Sequence, residues 1–540
     1  MSSVAAPGRA ASPASPAAPR ARATTTAPTA PTAPTAPAGN YKWWVLVTAI
    51  FGAFVSILDQ TIVNTALPKI QAVFGADLHQ ISYVTTGYTL AAGVVVGASG
   101  YLANRFGIKR VYLGSLALFT LFSALCGLSW STGVLILFRV LQGAGGAALF
   151  PLALSLIFGS FPPEERGLAN GVGGIPILVA PAIGPTVGGY IVQYIDWRWI
   201  FYINVPIGIL GVYIGWRVLR ESPLQRTLPF DLRGFLLLAA GLGLLLYGTS
   251  NLAYDGWGSL ATVSGPIVLA LIVLVAYVPI ALGTRQPILN LRLFRSRNFW
   301  AGNVLIWLAT VGLFGAQFLL PQYLQRLRGL DPYHSGLLLL PLGLAAMVST
   351  VATGIFYSRL DPRWIIAVGA LFTALGTYLL GQWSTLSSAY SVLVWLLILR
   401  GLALPALAQT TNTVALQGIE GAALPGASTL SVVARNVAAS LAVAVLVNIL
   451  QNQQTQHQAN LAGRVTLSNP ATAALYNRLV AVGGQGAALR QLAGQVARQA
   501  TALAYQDIYA LTALVTIPAI FLTVLLRPSK GGRGPAAPVE

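Results

Sequence analysis

Long apolar runs separated by short polar connectors recur along the chain between residues 43 and 526. Each run is about 20 residues long, which lets an α-helix cross roughly 30 Å of hydrocarbon. The pattern therefore predicts an all-α integral membrane protein. Its fourteen predicted spans, numbered in chain order, lie at 43–66, 80–103, 111–129, 133–157, 167–192, 198–216, 234–252, 260–282, 299–322, 334–356, 364–382, 391–414, 422–450 and 505–526.

The composition supports a membrane protein and limits the other classes. Hydrophobic residues make up 55% of the 540 residues, charged residues make up 8%, and the mean hydropathy is +0.70. The net charge of +19 suggests a nucleic-acid partner at first. However, the basic residues are scattered through short connectors and form no basic face or run, so we expect no nucleic-acid partner.

The distribution of basic residues predicts the orientation of the chain. An even number of spans places both termini on one side, and 21 of the 32 lysines and arginines fall in the tails and even-numbered connectors. Cytoplasmic loops carry the excess of Lys and Arg. We therefore expect a multi-pass protein of the plasma (inner) membrane with both termini in the cytoplasm.

Two terminal regions and one loop stand apart from the spans. Residues 1–40 are rich in Pro, Ala and Thr and are predicted to form a disordered cytoplasmic tail, and 527–540 a second tail. The density of proline argues against the other interpretation of 1–40, an organelle transit peptide. The long external loop 451–504 is rich in Ala and Gln, with arginines at helical spacing. It is either a solvated helical loop or a docking surface for a periplasmic or extracellular adaptor protein.

The chain carries an internal repeat. "GYLANRFGIKR" (100–110) follows span 2, and "GIFYSRLDPRW" (354–364) follows span 10, with Arg105 aligned to Arg359. Further on, Arg139 and Arg400 each lie inside a span. Repeated halves are typical of secondary transporters, which handle their substrate at the interface between the halves.

The repeat divides the chain into domains. It predicts an N-terminal six-helix bundle at 41–216, a linker with two extra transmembrane helices at 217–297, and a C-terminal six-helix bundle at 298–526.

Five motifs in this order resemble the major facilitator superfamily, specifically its fourteen-helix drug:proton antiporter family. They are "LDQTIVNTALPKI" in span 1, "GYLANRFGIKR" after span 2, "FRVLQGAGGA" in span 4, "APAIGPTVGGYI" in span 5 and "DWRWIFYINVPIG" before span 6. The resemblance covers about 41–450 and the last span. It implies a two-bundle fold with a central cavity and alternating access. It also implies proton-coupled export of lipophilic or cationic drugs and toxic compounds.

Asp59 is the carboxylate that lies well inside a predicted span. A charge at the bilayer centre costs at least about 2.5–3.5 kcal/mol, so such a residue is a functional candidate. Arg139 is its expected electrostatic counterpart. The pair is interpreted either as a site of proton coupling or substrate-cation binding, or as a fixed structural ion pair between spans 1 and 4.

The basic stretch after span 2 has two interpretations. It is either plain positive-inside topology or, as the resemblance implies, a cytoplasmic gate in which a carboxylate and arginines bridge the two bundles. Asn104 stands where the family usually has Asp, so the gate should be weaker and less sensitive to salt. Whether Asp361 compensates is open. The gate candidates are Gly100, Asn104, Arg105, Gly107, Lys109, Arg110, Arg359 and Asp361.

Small and uncharged polar residues complete the set of candidates. The span-5 motif allows a kink and close helix packing, and the resemblance assigns it to the seal of an exporter through Gly184, Pro185, Gly188 and Gly189. Uncharged polar residues either line the cavity or bond two helices together. The cavity candidates are Gln60, Asn64, Gln142, Gln317 and Asn412.

The alternatives to a drug exporter are an enzyme, another kind of transporter and a transport-inactive protein. The chain has three histidines and no phosphate-binding or zinc-binding motif, so we expect no enzyme, no cofactor and no metal site. A facilitator-type importer or uniporter of a small metabolite is the main alternative, and a transport-inactive sensor or assembly subunit is a further one. The expected partners are a small-molecule substrate, protons and membrane lipid, and we expect a monomer.

Overall fold

The computed structural model describes residues 40–76, 78–222, 230–357, 359–383, 389–466 and 468–526, together with Gly8. Apart from Gly8 and Asn40, the predicted tails lie outside the described residues. Within the described residues the regular secondary structure is helical. This is the expected outcome for apolar runs, because hydrocarbon offers no partner to a backbone N–H or C=O and a helix satisfies both internally.

The described residues form fourteen long helical segments, some of them interrupted. Twelve helices are long and apolar enough to cross a membrane, and the remaining two segments are α2 and α9. The bounds are α1 Tyr41–Phe74, α2 Leu78–Val96 with Ser99–Phe106, α3 Ile108–Gly127, α4 Thr132–Gly146 with Leu149–Ser160, α5 Arg166–Tyr194, α6 Trp199–Tyr202 with Asn204–Val218, α7 Leu232–Asp255, α8 Leu260–Ser264 with Gly265–Gly283, α9 Arg297–Gln322, α10 Pro332–Tyr357, α11 Pro362–Trp383, α12 Tyr390–Ala415, α13 Ala423–Arg464 and α14 Pro470–Thr516 with Pro518–Leu522.

The helices pack as two groups of six. In the first, α1 packs on α4, α5 and α6, while α4 also packs on α2 and α3. In the second, α12 packs on α9, α10 and α11, while α14 packs on α9, α11 and α13. The groups meet where α5 contacts α10 and where α13 contacts α2 and α4. The predicted two six-helix bundles with two additional helices are confirmed.

The two additional helices cover the contact between α2 and α13. Helix α7 packs on both of them and on α8. Thr249 Oγ1 of α7 lies 2.6 Å from Ser440 Oγ of α13, and Trp257 Nε1 donates to Asn448 Oδ1 at 3.1 Å. Helix α7 is thereby bonded to the C-terminal bundle while it packs against the N-terminal one.

The predicted external loop 451–504 is largely helical. Helix α13 continues without a break to Arg464, α14 begins at Pro470, and Gly484 turns the chain with a φ of 75°. Hydropathy ends span 13 near residue 450, but Ala and Gln are good helix formers, so the helix continues beyond the apolar segment.

Candidate functional site

One carboxylate and one guanidinium meet deep inside the N-terminal bundle. Arg139 of α4 donates from Nη1 to Asp59 Oδ2 of α1 at 2.6 Å, and both residues are fully buried. Gln142 Nε2 and Asn204 Nδ2 donate to Asp59 Oδ1 at 3.1 Å and 2.9 Å. Asp59 therefore accepts three hydrogen bonds, which suits an ionised carboxylate because that group can only accept.

The guanidinium of Arg139 is held from several sides. Its Nη1 also donates to Gln142 Oε1 at 2.7 Å, and its Nε donates to the carbonyl oxygen of Val84 at 3.1 Å. Its Cζ lies 4.3 Å from the centre of the Tyr88 ring, within the range of a cation–π interaction. These contacts from α2 and α4 fix the plane of the guanidinium, so its position does not depend on Asp59 alone.

Local sequence explains most of this cluster. Arg139 and Gln142 are three residues apart on α4 and therefore lie on the same face. Asn204, the first residue of the second part of α6, also donates to Ser123 Oγ at 3.2 Å. The sequence pattern does not single out Asn204, although it lies within the "DWRWIFYINVPIG" motif. An uncharged amide gives no signal of its own until the fold brings it to a carboxylate.

Asp59 is fully buried, but polar residues next to it on α1 are exposed. Gln60 and Asn64, one helical turn apart, are both exposed. Gln142, which the sequence groups with them, is fully buried and belongs to the Asp59 cluster. Asn412 of α12 is half-buried. The side chain of the fifth cavity candidate, Gln317, lies outside the described residues.

The exposed strip of Gln60 and Asn64 faces the C-terminal bundle. On one side of the strip, Ser56 Oγ of α1 lies 3.3 Å from Tyr88 Oη of α2. On the other side, Thr61 Oγ1 of α1 lies 3.3 Å from the carbonyl oxygen of Ala180 in α5. Because α2 and α5 are helices that contact the other bundle, the face of α1 between them points into the space between the bundles.

The two bundles touch through the second part of α2 and the start of α13, at the ends that the sequence predicts to be cytoplasmic. Ser99 Oγ lies 2.9 Å from Thr429 Oγ1. At the next residue, a Cβ on Gly100 would lie 3.0 Å from the Cα of Gly426. A side chain here would press on the backbone of α13, so the close approach of the two backbones favours glycine at position 100.

Asn104 supplies a polar contact between the bundles. Its Nδ2 donates to the carbonyl oxygen of Ala422 at 3.0 Å. Nearby, Arg166 Nη2 of α5 lies 3.4 Å from Glu420 Oε1 in the connector before α13. An amide donor and a separate ion pair thus make the contact that the resemblance assigns to a carboxylate at position 104.

We expect Asn104→Asp to weaken this contact more than Asn104→Ala does. The carboxylate would face the Ala422 oxygen with no proton to donate, whereas alanine only removes a hydrogen bond worth about 0.5–1.5 kcal/mol. The measurement is the rate of labelling of a cysteine introduced at Thr429 by a thiol reagent added from the cytoplasmic side. Labelling should rise in the order wild type, alanine, aspartate, and the reverse order of the two variants would contradict the assignment.

The rest of the stretch after α2 is tied within its own bundle. Glu221, which follows α6, accepts from the backbone N–H of Lys109 at 3.1 Å and pairs with Arg110 at 3.4 Å. Lys109 Nζ donates to the carbonyl oxygen of Trp216 at 2.7 Å. Gly107 has a φ of 95°, a conformation that favours glycine. The sequence alone does not point to Glu221, because its partners Lys109 and Arg110 lie on a different connector.

The corresponding stretch of the second half does not bridge the bundles. Asp361 Oδ1 accepts from the backbone N–H of Arg363 at 3.0 Å and caps the start of α11, and it forms no ion pair within the described residues. Arg359 is exposed. In the first half, Arg105 Nη1 donates to Tyr101 Oη at 2.9 Å. Asp361 therefore does not compensate for Asn104 in this conformation.

The glycines of the span-5 motif mark two close contacts of α5. A Cβ on Gly184 would lie 2.2 Å from Thr61 Oγ1, and one on Gly188 would lie 2.3 Å from Thr65 Oγ1, both on α1. A Cβ on Gly189 would lie 3.3 Å from the backbone nitrogen of Tyr333 in α10, across the bundle interface. Pro185 lies between them and is half-buried.

We expect Gly184→Val to destabilise the protein by about 1–3 kcal/mol, the usual result of inserting methyl groups into a packed contact. The matched control is Gly114→Val on α3, where nothing lies within 4 Å of the added Cβ. Thermal melting of the two purified variants measures the effect. Equal melting temperatures would show that α1 and α5 can separate without cost.

A titratable pair lies at the start of α10, in the polar segment before its apolar part. Asp331 Oδ1 accepts from the backbone N–H of His334 at 2.9 Å, and Asp331 Oδ2 lies 2.6 Å from His334 Nδ1. The backbone hydrogen bond, followed by the side-chain bond, lowers the pKa of Asp331. At pH values above the ordinary pKa of Asp, the cap therefore stabilises α10. This contribution is lost as the pH falls through the lowered pKa of Asp331.

The bundle geometry and the helix order agree with known proteins. The family model of the Major Facilitator Superfamily matches residues 49–443. The chain belongs to this superfamily. It resembles the proton:xylose symporter XylE in structure, with a TM-score of 0.57 at 14% identity, over 91% of this chain and 97% of XylE. The predicted major facilitator fold is therefore confirmed, and the protein is a multi-pass membrane transporter.

Two bacterial relatives match over most of their length. Multidrug export protein EmrB of Escherichia coli (strain K12) is 31% identical over 484 residues, which cover 89% of this chain and 94% of EmrB. The MFS-type transporter YhcA of Bacillus subtilis (strain 168) is 30% identical over 426 residues, which cover 79% of this chain and 80% of YhcA.

Proposed function

We propose that this protein exports lipophilic compounds, cationic drugs among them, across the plasma membrane in exchange for protons. The observation that carries the proposal is the buried Asp59–Arg139 pair, which lies directly beside the exposed strip of Gln60 and Asn64. The likeness to a multidrug export protein supports the direction and the class of substrate. An importer or uniporter on the same fold has no comparable support.

Proton coupling follows from the hydrogen bonds of Asp59. The ionised carboxylate accepts from Arg139, Gln142 and Asn204. Protonation would place a donor where one of these donors now lies and would remove the charge that balances Arg139. The cluster joins α1, α4 and α6, so a change in its bonds alters how these helices fit together. Proton binding thereby favours one arrangement of the bundle over another.

The cytoplasmic contacts support a transport cycle. With Ser99 against Thr429 and Asn104 against Ala422, the cytoplasmic ends of α2 and α13 are closed. The substrate then leaves to the outside from the space that Gln60 and Asn64 face. Arg105, Lys109 and Arg110 support the gate by holding its helix ends. Substrate enters from the cytoplasm when these contacts open.

The arrangement in the membrane belongs to the same proposal. The excess of basic residues in even-numbered connectors supports cytoplasmic termini. The helical segment 451–504 then lies outside, where it offers a surface to an adaptor protein. We propose that the transporter itself is a monomer, because its two bundles already form both sides of the transport path.

Everted membrane vesicles test the proposed function. With an inside-acid pH gradient, the wild type should accumulate ethidium, and collapse of the gradient with nigericin should abolish the accumulation. Vesicles without the protein are the control. Ethidium accumulation that does not depend on the pH gradient would favour a uniporter. If the folded protein accumulated no lipophilic cation, cation export would be contradicted.

A further inference from the structure

Among the described residues, three arginines lie well inside the predicted spans, and each has different partners. Arg139 pairs with Asp59. Arg400 Nη2 donates to the carbonyl oxygen of Gly312 at 2.7 Å. Arg435 of α13 has only the ring of Phe150, whose centre lies 4.0 Å from its Cζ, and within the described residues it has no ion pair or hydrogen bond through its side chain. A cation–π contact contributes about 0.5–2 kcal/mol, less than the cost of a cation at mid-membrane.

Arg435 lies where the cytoplasmic closure ends. Residues 427–433 of α13 are buried, while 434–437 are half-buried. Arg435 is twelve residues from the start of α13 at Ala423, about 18 Å along the helix and close to the middle of the membrane. Since Phe150 belongs to α4 of the other bundle, Arg435 lies between the bundles at the floor of the space that Gln60 and Asn64 face.

Within the described residues, no carboxylate pairs with Arg435. Two acidic residues lie within the described spans: Asp59 is fully buried with Arg139, and Asp507, near the start of the apolar part of α14, lies 2.6 Å from His457. Glu420 lies at the cytoplasmic end and pairs with Arg166, and Asp361 caps α11. The described residues thus leave Arg435 without a compensating anion in this conformation, and a bound molecule can supply one.

We propose that Arg435 binds the anionic group of a transported substrate. The substrates would then include lipophilic organic acids, whose carboxylate meets the guanidinium while an aromatic or aliphatic body packs beside Phe150. A planar guanidinium suits this role because it can hold a carboxylate through two parallel hydrogen bonds. This inference rests on the proposed export function and extends its substrate class from cations to acids.

Equilibrium binding to the purified protein in lipid nanodiscs tests the site without any gradient. The probes are 1-pyrenebutyrate, its uncharged methyl ester and the cation 1-pyrenebutylamine, followed by pyrene fluorescence. Arg435→Gln should weaken binding of the butyrate at least tenfold and change binding of the ester and the amine less than twofold. Arg435→Lys, which keeps the charge without the planar fork, should fall between. The matched control is Arg490→Gln, an exposed arginine of α14, which should leave all three unchanged.

The outcomes separate the site from the proposed function. The proposed site would be overturned if Arg435→Gln weakened binding of all three probes equally or changed binding of none. It would also be overturned if the wild type bound the ester as tightly as the butyrate. Binding of the ester and the amine shows that each variant is folded. If the selective loss occurs but no probe moves in response to a pH gradient, the anion site stands and proton-coupled export fails.

Discussion

Asp59→Asn is expected to abolish proton-driven export, reducing accumulation in everted vesicles at least tenfold. Asparagine has nearly the same shape as aspartate, but it carries no charge and cannot take up the coupling proton. One face of its side chain would present an NH₂ to donors that now point at a carboxylate. The same change leaves Arg139 as an unpaired cation in a fully buried site, and losing one partner of a buried pair costs about 3–5 kcal/mol.

That loss of stability would also occur if Asp59 were only structural, so a second variant is needed. Asp59→Asn combined with Arg139→Gln removes both charges and should recover much of the melting temperature lost by Asp59→Asn alone. A coupling carboxylate predicts that export stays absent in this stable double variant. Recovery of pH-dependent export would show that the pair is a fixed structural bridge. The matched control is Asp196→Asn, which removes the carboxylate of an exposed ion pair whose Asp196 Oδ1 lies 3.8 Å from Arg198 Nη1. This variant should behave as the wild type.

The membrane helices follow from the sequence because hydrocarbon imposes one rule on every apolar run. The same rule does not fix where each helix ends, because it no longer applies beyond the hydrocarbon. Hydropathy places the end of span 1 at residue 66 and of span 13 at 450, whereas the helices run to Phe74 and Arg464. Beyond the hydrocarbon, helix propensity rather than hydropathy decides where a helix ends.

The site could be predicted in part. A charge within an apolar run is visible in the sequence, so Asp59 and Arg139 are found together. Asn204 and Glu221 are not, because an amide in a helix and a carboxylate in a connector are ordinary residues until a distant partner meets them. Asn104 shows the reverse: the sequence reveals the missing carboxylate, and only the fold shows that the amide bonds to a backbone oxygen instead.

A disulfide between Ser99→Cys and Thr429→Cys is expected to stop transport by holding the contacting ends of α2 and α13 together. The two hydroxyl oxygens lie 2.9 Å apart in the closed contact, so sulfur atoms at these positions are within reach of a bond. If the substrate enters from the cytoplasm, α2 and α13 must separate there once in each cycle. Oxidation with copper phenanthroline should then lower ethidium accumulation at least tenfold, and dithiothreitol should restore it.

The native cysteine does not complicate this test. Cys126 is buried beside Gln142 at the end of α3, whereas Ser99 lies before the start of that helix. It is retained because it touches the Asp59 cluster. Each single-cysteine variant, oxidised in the same way, is the control and should transport normally. A crosslinked protein that still transports at the wild-type rate would mean that the bundles do not part between α2 and α13. The route of entry would then have to lie elsewhere, with Asn104 and Glu420 serving as permanent rather than reversible contacts.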